Sequence, residues 1–425
     1  MLEDYYDLAR ATDFGPLFGD LKIGQNPTPL HNRYLVMRWD FSMVDPRSDA
    51  DAIAASLHGY VNSSIDTFTR NYQVYLPDKI ALHTDVLRLW SGLLAVISQT
   101  SHKLYLVIDE YDNLANEVMI SPLRRTHRYE QLVQGEGTIK TLFKAVKSAA
   151  GGQGLDRVFI TSVSPVVLSD VTSGYNVVEI LSQRPRFHNL CGFTKSELRV
   201  ALEAVAVETA LDAAQVDEAL KLMREFYNGY RFTSQQEDPV YNPTLVLYLL
   251  KRLGEDGVYP EQLLDDNLAM DRNRIQYVAR LPHDETLVNR VLNDAEPIAI
   301  AQLVNRFGVH DMLTAPRDPD FLASLLHYFG VLTLAGCDAL GKLTLTIPNL
   351  MIRKLYVERF QEQVLPRYED QEQRQQAVER FYSTGDLGPL CELLEQKYFK
   401  VFDSCDLRWS NELVIKTAFI ATLFN

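Results

Sequence analysis

The chain has 425 residues, of which 46% are hydrophobic and 23% charged, with a formal net charge of −14. That is the composition of a globular protein with room for two or three cores, and the acidic balance argues against a broad, non-specific grip on nucleic acid or anionic membrane. No apolar run approaches the ~18 residues of a membrane span, and the start, MLEDYYDLARATDF, has neither the basic opening nor the apolar core of a secretion signal.

In chain order, Tyr34 to Phe41 (YLVMRWDF), Leu104 to Ile108 and Arg157 to Val163 (RVFITSV) read as strands. Between them lie helical stretches at Asp51 to Tyr72, His83 to Thr100 and Gly137 to Ala149. Strands separated by helices of this length predict a parallel, doubly wound sheet. Gly151, Gly152 and Gly154 fit a helix-to-strand turn rather than a phosphate cradle.

From about Cys191 the pattern turns helical. Thr194 and Glu197 form a capping box, TKSE. A second helix covers Ala213 to Tyr227 and stops at Asn228-Gly229, and Asn242-Pro243 starts a third that runs through Leu250. Phe321 to Phe329 reads as a short helix ended by Gly330. VLTLAG, a turn, KLTLTIP and a helix near Asn349 follow, which is the outline of a winged helix. Gln371 to Asn425 reads as helical to its end.

Cys191, Cys337, Cys391 and Cys405 form no CxxC pair, and the nine histidines form no HxxxH cluster. Zinc spacing is therefore absent, and cysteine usage of this kind points to a reducing, intracellular setting, cytoplasm or nucleus.

The chemistry gathers at LYLVIDEYDN, Leu104 to Asn113. An apolar strand that runs into Asp109 and Glu110 delivers two carboxylates to a sheet edge. In nucleotide hydrolases the first acid serves Mg²⁺ and the second orients or deprotonates the attacking water. The same pattern also fits a strand that simply ends in two solvated acids. A hydrolase reading requires a G-x-x-x-x-G-K-[ST] loop between a strand and a helix. The nearest match runs from Gly336 through Gly341 to Lys342, but Leu343 follows where a hydroxyl is needed, and a strand follows where a helix is needed. It reads as a hairpin turn, and no other stretch of the chain qualifies.

Taken together, YLVMRWDFS, LYLVIDEYDN, RVFITSVSP, LCGFTKSEL, FYNGYRF with VYNP, and YFGVLTL with LTIPN resemble, in order, the AAA-ATPase-like family of P-loop NTPases, often fused to a C-terminal PD-(D/E)XK nuclease. The resemblance implies ATP and Mg²⁺ as ligands. It makes Asp109 the metal-side acid of the Walker B strand and Glu110 the catalytic carboxylate. Asp112, with Asp109, falls in the family's IDEYD string on the cofactor side. Thr161 and Ser162 stand where related ATPases keep a polar residue that senses the γ-phosphate. Arg184 and Arg186 are candidates for an arginine finger or sensor, with solvated loop arginines as the equal alternative.

The implied fold class is α/β: an incomplete parallel P-loop NTPase sheet, then an α-helical lid and a winged-helix-like segment. The expected boundaries are 1–193 for the α/β domain lacking the phosphate loop, 194–295 for the helical lid, 296–369 for the winged-helix-like segment and 370–425 for a last helical segment. Within that last part WSNELVIKTAFIATLFN, with Glu412, resembles the first helix of the nuclease part. The family's R-x-F-G-K-S-type loop is missing, so the chain is expected to be truncated at both ends and to hold ATP poorly.

Two readings stand beside the ATPase one. The first is a nucleotide-independent module that contacts a protein partner or DNA through the helical and winged-helix parts. Arg353, Lys354 and Arg359 would supply its basic face, but Glu358 and Glu362 interrupt it, which disfavours nucleic acid. The second is a divalent-ion site built from Asp109, Glu110 and Asp112 alone.

Overall fold

The computed structural model describes residues 1–44, 50–78, 80, 83–112, 138–150, 152, 154–162, 179–209, 211–235, 238–257, 297–304, 307, 318–353 and 368–394. They fall into two units, Met1–Glu179 with Asn305–Ala315, and Ile180–Val304 with Pro316–Asn425. Among the described residues no helix is long and apolar enough to cross a membrane.

The first unit opens with the short helices α1 (Leu2–Tyr6), α2 (Phe14–Phe18) and α3 (Lys22–Gln25). Next come β1 (Tyr34–Asp40), α4 (Ala50–Asn71), α5 (Val86–Ser98), β2 (Lys103–Asp109), α6 (Thr138–Ala149) and β3 (Leu155–Ile160). The described strands form a parallel sheet in the order β1-β2-β3. The predicted α/β pattern with a parallel sheet is therefore present. Tyr34 stands opposite Lys103, Arg38 opposite Val107 and Asp40 opposite Asp109. The first strand ends one residue early, because the Asp40 carboxylate accepts from the Ser42 backbone N–H and caps a 3-10 turn over Phe41–Met43.

Alternation decides which face each side chain takes. Leu35, Met37 and Trp39 are buried on one face of β1, with Trp39 5.2 Å from Trp90 of α5. On the other face Tyr34, Tyr105 and Val107 form an aromatic cluster with Tyr6 of α1, Val36 and Phe159. β2 is buried from Leu104 to Ile108, whereas Asp156 and Arg157 of β3 are exposed. Lying between two neighbours, β2 reads as one continuous apolar run. Gly152 and Gly154 have positive φ in the turn between α6 and β3, which fits the predicted helix-to-strand turn; Gly151 lies outside the described residues.

The second unit contains α7 (Lys195–Thr209), α8 (Ala213–Tyr227), α9 (Pro243–Asp256), β4 (Ile298–Ile300), α10 (Pro319–Tyr328), β5 (Thr333–Cys337), β6 (Leu343–Thr346), α11 (Tyr368–Thr384) and α12 (Gly388–Leu394). The TKSE box forms: Glu197 N–H donates to Thr194 Oγ1, and Thr194 N–H donates to Glu197 Oε2. Asn242 Oδ1 accepts from the backbone N–H of Thr244 and Leu245, with Pro243 in the first turn of α9.

Gly336 to Lys342 is a hairpin connection. Asp338 Oδ1 accepts from the N–H groups of Leu340 and Lys342, and the flanking strands pair antiparallel. β4 adds a third strand in the order β4-β6-β5. The predicted last helix is two helices over its described part, with a break at Gly385 to Leu387, and the segment from residue 395 onward, with Glu412, lies outside the described residues.

The separated motifs of the second unit converge on one place. Tyr230 pairs with Val240 and Phe193 with Tyr241 in isolated antiparallel bridges. The side chains of Asn349 and Asn242 both hydrogen-bond Tyr230. FYNGYRF, VYNP and LTIPN are thereby explained as parts of one packed knot.

Candidate functional site

Asp109 ends the middle strand of the described parallel sheet, at the carboxyl ends of the strands, where open α/β sheets place their ligands. Its two oxygens are held from opposite sides. Arg38 Nη2 donates to Oδ2 at 2.8 Å, and Thr161 Oγ1, just past β3, donates to Oδ1. Thr161 is itself placed by the ladder, its N–H reaching the Ile108 carbonyl at 2.8 Å. Side chains from β1, from β2 and from the residue just after β3 therefore meet at one carboxylate.

Arg38 serves a second acid as well. Its Nη2 lies 2.9 Å from Asp40 Oδ2, and its Nε lies 3.6 Å from Glu3 Oε1. Partial burial works against the guanidinium charge, but Glu3, Asp40 and Asp109 outweigh it and hold the group charged. The charge of this corner is thus shared among one cation and three acids.

Glu110 follows with φ +53, a left-handed backbone that is uncommon for a non-glycine residue. The conformation breaks the strand at Asp109 and turns the chain away. Residues held this way cluster at functional sites, where surrounding structure maintains the strain. Tyr111 and Asp112 are buried beyond the turn. Burial pushes the Tyr111 hydroxyl's pKa up, partly offset by a hydrogen bond with Ser162. Asp109 is thus joined to Thr161, and Tyr111 to Ser162, tying the strand ends through two successive pairs.

Arg184 and Arg186 belong to the other unit. Arg184 precedes the 3-10 turn Pro185–Phe187, and the Arg186 guanidinium sits 4.6 Å from the centre of the Phe187 ring. The sequence reading missed Arg38 and Asp40. Their signal lies in alternation: Arg38 and Asp40 are two apart in YLVMRWD and so share a face.

The donor set is hard oxygen, which suits Mg²⁺. Among the described residues, however, no group of three or more His, Cys, Asp or Glu side chains could hold a metal ion. One or two carboxylates suit a divalent ion that keeps water or phosphate oxygens as its remaining ligands.

Residues 1–172 match the model of the AAA-ATPase-like family, described as "Predicted AAA-ATPase". No curated protein and no solved structure matches the chain.

Proposed function

We propose, on the premise that residues 1–172 form an AAA-ATPase-like domain, that the first unit is the carboxylate half of an ATP·Mg²⁺ site. Asp109 is the cation-side acid and Glu110 the acid that orients or deprotonates the attacking water. Thr161 positions Asp109 and stands where it reads the phosphate side. The supporting observation is Asp109 at the end of the middle strand, with the Thr161 hydroxyl of the next strand on its carboxylate. Bound Mg²⁺ would neutralise charge that develops on the phosphoryl oxygens.

The grip on the phosphates is the weak half. No G-x-x-x-x-G-K-[ST] stretch occurs in the 425 residues, so the sequence supplies no phosphate loop of that type, with its cradle of N–H groups and its lysine. The chain therefore binds ATP weakly. Thermal shift with millimolar ATP and Mg²⁺ should show little stabilisation, and a clear shift would overturn this part. Fusing a strand, phosphate loop and helix ahead of Met1 should confer hydrolysis. In that fusion Glu110→Gln should abolish turnover while keeping ATP binding; unchanged turnover would overturn the role of Glu110.

For the second unit we favour a winged-helix-like packing module over a nucleic-acid reader. Helix α10 is buried from Phe321 through His327, which leaves no side of that stretch to enter a groove. Salt-dependent retention of the full chain on duplex DNA would reverse this preference.

A further inference from the structure

The ion pair between Arg38 and Asp109 bears on how a cation reaches the site. The two residues sit on neighbouring strands, with Asp109 opposite Asp40 and Arg38 two residues earlier on the same face. Backbone register therefore sets their spacing. Both side chains remain partly open to solvent, at 44% and 34%, so dissolved ions can reach the pair. Arg38 also has somewhere else to turn. It lines a cavity of about 680 Å³ together with Glu3, Asp4 and Asp7, and its Nε already faces Glu3.

We propose that Arg38 is a positioning residue that competes with divalent cations for Asp109. The carboxylate carries the guanidinium when no metal ion is present, and a metal ion bound directly to Asp109 displaces Arg38 toward Glu3 and the cavity. A guanidinium left in place would stand within a few ångströms of the metal as a like charge. The inference rests on the reading of Asp109 as the cation-side acid.

Manganese is the probe, with free Mn²⁺ followed by electron paramagnetic resonance in low-salt buffer on the full chain. Arg38→Gln should tighten Mn²⁺ binding by about tenfold, the size of removing one nearby positive charge in partly screened solvent. Arg38→Lys keeps the charge and should stay close to the unsubstituted chain. The gain should vanish when Asp109→Asn is added to Arg38→Gln, and rising salt should shrink it. Far-UV circular dichroism confirms that each variant is folded, and loss of packing alone would not tighten metal binding.

Equal affinity in the unsubstituted chain and Arg38→Gln, with Asp109→Asn abolishing both, would overturn the role of Arg38 and leave the reading of Asp109 standing. Binding that ignores Asp109→Asn, or none in Arg38→Gln, would overturn both.

Discussion

Asn349 donates from Nδ2 to the carbonyl oxygen of Asn228 at 2.8 Å, across 121 residues of sequence. On either side of this bond, Asn349 Oδ1 accepts from the Ile352 N–H and starts the helix that follows, while Gly229 lies against the carbonyl of Pro348. The second unit is pinned where chain segments from three separate regions cross.

Gly229→Ala should be severely destabilising. A Cβ there would lie 2.0 Å from the Pro348 carbonyl oxygen, a backbone atom with little room to yield, and φ is +106. Strain and overpacking together predict a loss of about 3 kcal/mol or more. Urea unfolding should show a lowered midpoint, and an unchanged midpoint would refute the close approach.

At Asn349, two substitutions separate two roles. Asn349→Ala loses both the helix cap and the bond to Asn228, for about 2–3 kcal/mol. Asn349→Asp keeps an acceptor for Ile352 but removes the donor, and should fall between. Equal losses in the two variants would mean that the cap contributes nothing.

The Arg38–Asp109 pair should matter little to stability, in contrast to its effect on metal. Both partners are partly solvated, so a double-mutant cycle by chemical denaturation should give a coupling of about 0.5 kcal/mol, reduced further in molar salt. A coupling of several kcal/mol would instead make the pair a structural clamp.

His327 is buried in α10, with Nδ1 3.2 Å from the Leu332 carbonyl. Burial lowers its pKa to about 4, against roughly 6.5 in an unfolded chain. In that interval the unfolded state binds the extra proton, so the contribution is complete above about pH 6.5 and is lost as pH falls toward 4. The loss amounts to at most about 3 kcal/mol. His327→Gln should flatten this slope in denaturation curves taken between these pH values; an identical slope would place the acid sensitivity elsewhere.

Much of the local structure of both units was legible in the chain itself. The apolar run Leu104 to Ile108 has to be buried on both sides, and it is the strand between two neighbours. Leu343 and the strand-like run after Lys342 marked the Gly336–Lys342 stretch as a hairpin turn, and it is one, closed locally by the Asp338 carboxylate on two N–H groups. The capping box at Thr194 and Glu197 is equally local and formed as read. The Asn242 cap did the same.

What the sequence by itself determined was whatever depends on neighbours within a few residues: periodicity, caps, turns, and the delivery of Asp109 and Glu110 to the end of a strand. Tertiary structure alone decided that Arg38 would reach Asp109, that Thr161 would take the other oxygen, and that Asn349 would meet Asn228. Each of these contacts depends on register or on a crossing of distant segments. A one-residue shift in register would turn Arg38 to the opposite face. Local propensity carries no record of such a shift, because pairing is settled by the burial of whole strand faces.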